Sequence, residues 1–130
     1  MKKLLSTLFI VLALVLSFAM VADAVLTVTI NRSFGNANSV ERVRDITIGF
    51  DASYPTGGES LTVDDVAIGT TMYMVTCDSN DGYVFQYDYT NSLLMAFWVD
   101  TTVDGAPLAQ VVNTTDLSGI TDLRCRVSGK

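Results

Sequence analysis

The chain has 130 residues, a formal net charge of −6, two cysteines and no histidine, and 49% of its residues are apolar. That length suits one domain and excludes two of ordinary size. The missing histidine and the two cysteines exclude the usual zinc, haem and iron–sulfur ligand sets, and every Ser/His/Asp or Cys/His nucleophilic constellation. Carboxylates, hydroxyls and a few arginines remain for chemistry.

The first 24 residues differ from everything after them. Lys2 and Lys3 precede an apolar run from Leu4 to Phe18, and Ala22-Asp23-Ala24 puts small residues, Ala22 and Ala24, at the two positions that a signal peptidase reads. This pattern predicts a secretory signal, a hydrophobic helix cleaved after Ala24. A retained membrane anchor is the competing reading, because the stretch Leu4 to Ala22 approaches the ~20 apolar residues that a span requires. A start at Met20 would leave a purely cytoplasmic body. Residues 25–130 hold five arginines, one lysine and thirteen acids, a formal charge of −7. That sign repels phosphates, so no nucleic acid partner is expected, and contact with a membrane is expected only through residues 1–24 if they are kept.

Val25 to Arg32 alternates apolar and polar residues, and so does Val40 to Phe50, where Ile46, Ile48 and Phe50 share a face. Both read as half-buried strands. Tyr54-Pro-Thr-Gly-Gly58 is a turn by composition. Ser60 to Asp65 then puts hydroxyls and acids where a helix start favours them, which predicts one short helical turn closing at Gly69. Thr70 to Cys77 reads as a third strand, Asp78 to Gly82 as its turn, and Gly82 to Tyr89 as a fourth strand with Tyr83, Phe85, Tyr87 and Tyr89 on the core face. Thr90-Asn91-Ser92 predicts a hairpin into a fifth strand, Leu93 to Asp100, with Asn91 suited to the left-handed region. Residues 101–117 read mostly as loop, and a last strand runs from about Asp122 to Ser128. Six strands with frequent turns predict an all-β domain at 25–130, a small antiparallel sandwich or barrel preceded by an N-terminal hydrophobic helix.

The fifth strand is apolar on both faces. Leu93, Met95, Phe97 and Val99 occupy one side and Leu94, Ala96 and Trp98 the other, so the strand is either buried twice or covered by a partner. Leu94, Ala96 and Trp98 are the expected interface. Cys77 and Cys125 each share a strand side with apolar neighbours, Tyr73 and Val75 for the first and Leu123 and Val127 for the second. Both sulfurs are therefore expected to face the core, bonded if the chain is exported and as two thiols if it folds in the cytoplasm. Asp78-Ser-Asn80-Asp81-Gly82 has its glycine one place early for a calcium loop and lacks the distant glutamate, so a plain turn is expected there. No spacing among the aspartates singles out a glycosidase pair, and Asp64-Asp65 fits capping better. Arg42, Arg44, Arg124 and Arg126 read as solvated strand faces. No catalytic residue, metal or cofactor is expected.

Several strings are familiar together: Val25-Leu-Thr-Val-Thr-Ile, the stretch Asp45 to Thr62 with Ser53-Tyr-Pro-Thr-Gly-Gly58, Gly82 to Leu93 with Tyr87-Asp-Tyr-Thr-Asn91, and Thr115-Asp-Leu-Ser-Gly119. Over residues 25–130 they resemble a group of small virion structural proteins of tailed bacteriophages, of the head decoration or cement type. The resemblance implies a β-rich protein that binds an assembled capsid lattice in the virion, with capsid or other virion proteins and copies of itself as partners, and carries no catalytic residues over. The hydrophobic head precedes the family's pattern. With the cysteine pair and the acidic surface, it supports the alternative of a secreted or periplasmic β-sandwich binding module.

Overall fold

The computed structural model describes residues 25–35, 40–99, 105 and 107–130. The hydrophobic helix expected at residues 1–24, and with it Ala22 and Ala24, lies outside the described residues. The described chain is all β, with eight strands: β1 (Thr27–Phe34), β2 (Arg42–Gly49), β3 (Glu59–Ser60), β4 (Met72–Cys77), β5 (Tyr83–Asp88), β6 (Leu93–Trp98), β7 (Ala109–Gln110) and β8 (Leu123–Gly129). They form two antiparallel sheets. In the first the order is β1-β2-β8-β4; in the second β6 lies between β5 and an edge that β3 and β7 share.

One core fills the space between the sheets. Alternation on β2 and β8 sends Ile46, Ile48, Leu123, Cys125 and Val127 inward, and the facing strands send in Phe85, Tyr87, Leu94 and Ala96. Loop residues close the ends, Phe50 stacking on Phe85 with ring centroids 5.4 Å apart. Burial of these large apolar groups is the main force holding the sheets together. Cys77 and Cys125 stand opposite each other in the β4–β8 ladder and are joined by a disulfide, sequence separation 48, on the core side of the first sheet.

Several expectations change at specific residues. The turn at Val63–Ala67 does not become a helix; instead Asp65 reaches back to accept hydrogen bonds from the backbone N–H and hydroxyl of Thr62, at 2.7 and 2.8 Å. That is the reach-back bond of a helix start, but the chain leaves the turn at once: Ala67 is left-handed, φ 51°, and the Ile68 N–H bonds the Val63 carbonyl. Tyr73 does not share the core side of β4, because a bulge between Met72 and Met74 turns it out to 48% exposure. Tyr89, expected in the core, is 53% exposed. Its ring meets Tyr87 edge-on, and its hydroxyl accepts a 2.9 Å bond from the Val75 N–H, linking β4 to the second sheet. In the β5–β6 hairpin, Ser92 rather than Asn91 takes the left-handed conformation, since Asp88 holds the backbone N–H groups of Thr90 and Asn91. The segment read as loop contains β7.

At the end of β8 the backbones run so close that a Cβ on Gly129 would strike the Thr71 carbonyl oxygen, while Thr71 and Lys130 exchange two hydrogen bonds across the gap. Glycine is required there for space rather than for its conformational freedom.

The inward register of β6 has a direct consequence. Leu94→Ala is expected to destabilise the fold by about 2–5 kcal/mol in urea unfolding, as for a large core side chain, and Leu93→Ala by less than half as much. Equal losses at the two positions would contradict this register.

Candidate functional site

β6 settles where the expected interface lies. Leu94 and Ala96 pair with Tyr87 and Phe85 on β5, share their inward face and are both 0% exposed. They are core residues, so the expected interface on this face is corrected. Trp98, at the strand end, is 46% exposed. Both faces of β6 are apolar, so periodicity alone cannot orient it; small Ala96 suits the crowded inside beside the large rings. The outward side carries half-buried Leu93, Met95 and Phe97, next to exposed Val84 on β5.

A concavity of about 660 Å³ lies on the outer face of the first sheet. Strand register builds this face of the sheet from successive rungs. Phe34, Val43, Ser128 and Met74 lie side by side across β1, β2, β8 and β4, and next to them come Arg32, Asp45, Arg126 and Thr76. Thr47 and Arg124 follow, with Asp78 donating its backbone N–H to the Arg124 carbonyl. The apolar rung is partly open, with Phe34 50% and Met74 46% exposed. Arg126 grips Asp45 with two bonds, Nε to Oδ1 at 2.7 Å and a terminal nitrogen to Oδ2 at 3.2 Å. The hydrogen bond from Arg126 is the main reason the Asp45 carboxyl titrates below its usual range, and the same bond raises the Arg126 pKa. An exposed pair of this kind stabilises little and mainly fixes the direction of its side chains. The Arg124 guanidinium makes no hydrogen bond among the described residues. Arg42 and Arg44, on the other side of β2, do not join this face; Arg44 donates to the carbonyls of Phe34, Val43 and Ala67.

Behind the second sheet lies a buried polar cluster that the sequence did not reveal. Tyr54, read as part of a turn, is 0% exposed, and its hydroxyl accepts a 2.8 Å bond from the Ala96 N–H, in the gap between β3 and β7. Pairing of Glu59 with Leu94 turns the Glu59 side chain inward, where it is 1% exposed and Oε1 has no hydrogen-bond partner; Nε2 of Gln110 is likewise buried and unpaired. Burial, and secondarily the charge of Asp51, pushes the Glu59 carboxyl up to about 7. Burial also raises the Tyr54 pKa, against the opposing effect of the bond from Ala96. The adjoining Gly58 has φ +115°, and a Cβ there would lie 2.8 Å from the Leu94 carbonyl oxygen, so the backbone that delivers Glu59 needs glycine.

The turn at Asp81-Gly82 has φ values of 50° and 82° and closes a bridge between Asn80 and Tyr83, the geometry of a tight hairpin. Asn80 also donates to Asp122 at 3.0 Å. Among the described residues no group of three or more histidine, cysteine or acidic side chains is arranged to hold a metal ion, and no helix is long and apolar enough to cross a membrane.

The folded chain holds the Glu59 proton more tightly than the unfolded chain, whose carboxyl titrates near its ordinary value of 4.5. This group's contribution is therefore most favourable below about pH 4.5 and is lost as pH rises through about 7. The urea midpoint is expected to fall between pH 5 and 7.5, and Glu59→Gln to flatten that slope and stabilise the protein at pH 7.5 on the order of 2 kcal/mol. Asp45, Asp88 and Asp116 have lowered pKa values and titrate below this window. A midpoint that is flat or rises with pH would contradict the placement of Glu59. Set against family models, curated proteins and solved structures, the chain matches none.

Proposed function

We propose that the chain is a non-enzymatic structural protein whose 25–130 region docks as a small β-sandwich onto an assembled protein shell, as a decoration or cement protein of a bacteriophage capsid. The observation that carries this reading is the outer face of the first sheet, where Phe34 and Met74 stand partly exposed beside Arg32, Arg124 and Arg126. Apolar anchors bordered by arginines are what protein interfaces favour. The resemblance of residues 25–130 to small phage virion proteins gives the partner its identity, and the charge of −7 on that region disfavours nucleic acid in that role.

A second reading, a secreted or periplasmic binding module, is favoured by the Cys77–Cys125 disulfide, because such bonds persist in oxidising compartments. The signal-like head points the same way. Fractionating the natural source and taking the intact mass of the chain in each fraction, with and without reductant, separates the two. The capsid reading predicts the chain in the virion fraction. Recovery only from the periplasm or medium, as a chain starting at Val25 with an oxidised pair, would overturn it in favour of the secreted module.

A further inference from the structure

The charges of the body are unevenly placed. Three of its six basic residues, Arg32, Arg124 and Arg126, line the groove on the first sheet, against two of the eleven acids among the described residues, Asp45 and Asp78. The groove is thus locally positive on a strongly negative molecule. Three of the remaining acids gather elsewhere: Asp64 and Asp65 in the turn after β3, and Asp88 at the end of β5. Asp65 holds the Thr62 N–H and Asp88 the N–H groups of Thr90 and Asn91, and a 3.0 Å bond from the Leu61 N–H to the Ser92 carbonyl ties these two turns together. None of the three lines the groove.

We propose that the groove docks a second copy of this chain, receiving its acidic end at Asp64, Asp65 and Asp88. The partner rests on the proposed structural role and names the protein that this face meets there, a neighbouring copy of the chain within the shell's outer layer. Opposite charges at close range steer and orient such an encounter, while Met74 lines the groove and exposed Phe34 shares its rung on the same sheet face. Because the two surfaces are different patches of one molecule, the contact is heterologous. Each copy that receives an acidic end still presents its own, so the contact propagates into an open array or a ring rather than stopping at a two-fold dimer.

The test uses the chain recovered from its natural source, followed by sedimentation velocity at ~50 mM and ~500 mM salt, where screening of exposed charges differs strongly. Concentration-dependent association is expected at low salt and its loss at high salt. Arg124→Glu and Asp64→Lys should each weaken association about tenfold or more at low salt. Mixing the two variants should recover part of it, since the charge reversed at position 64 of one then meets the charge reversed at position 124 of the other. Unchanged urea midpoints would show that both variants fold. A monomer at both salts overturns the proposal, as does association that is insensitive to salt and to both substitutions, the behaviour of clustering through residues 1–24. Salt-sensitive binding of an acidic peptide by a monomeric chain would assign the groove to a foreign partner and equally overturn it. A chain found in virions yet monomeric overturns only self-docking; one that assembles yet is absent from virions overturns only the shell reading.

Discussion

The register of β8 is the constraint on which the rest depends. This last strand is inserted between β2 and β4, so it bonds to a neighbour on each side. Its alternation sends Leu123, Cys125 and Val127 into the core and Arg124 and Arg126 onto the outer face. A slip of one residue would bury both arginines and expose the three apolar side chains, an exchange too costly to populate. The disulfide to Cys77 and the grip of Arg126 on Asp45 fix the same register from opposite faces of the sheet. Core and groove are thus two sides of one pairing.

The second sheet is built on a weaker arrangement. β6 has a full partner in β5, but its other edge is covered by two strands of two residues each. Between them the Tyr54 hydroxyl takes the Ala96 N–H that a longer strand would have taken. Glu59 and Gln110 meet the same gap with unpaired atoms, a combination that costs stability when the carboxyl ionises. The chain spends residues 50–61 and 109–117 on this edge, where Tyr54 also bridges Thr115. Its stability is accordingly more sensitive to pH than that of the first sheet's central pairs.

Much of the fold was legible in the sequence, and the limits have physical causes. Strands with one apolar face, such as 42–49 and 123–129, follow directly from alternation. β3 and β7 are too short for any period to register and exist only because β6 offers them an edge. The orientation of β6 was illegible because both its faces are apolar, which placed the expected interface on Leu94 and Ala96, on the buried side. Tyr73 and Tyr89 read as core by parity, and a bulge and a cross-sheet hydrogen bond moved them outward. The groove was half legible: the arginines were read as solvated, but Asp45 and Arg126 lie on strands far apart in sequence, and only the ladder between β2 and β8 brings them together.

Amide hydrogen exchange across the strands tests this account most directly. Every amide of β8 inside both ladders is predicted to exchange only through global opening, whereas β1, an edge of the same sheet among the described residues, should show alternating fast and slow amides as its outer N–H groups meet solvent. Exchange in β8 as fast as at the outward-pointing amides of β1 would contradict the central place of β8, and with it the origin of both the core and the charged groove.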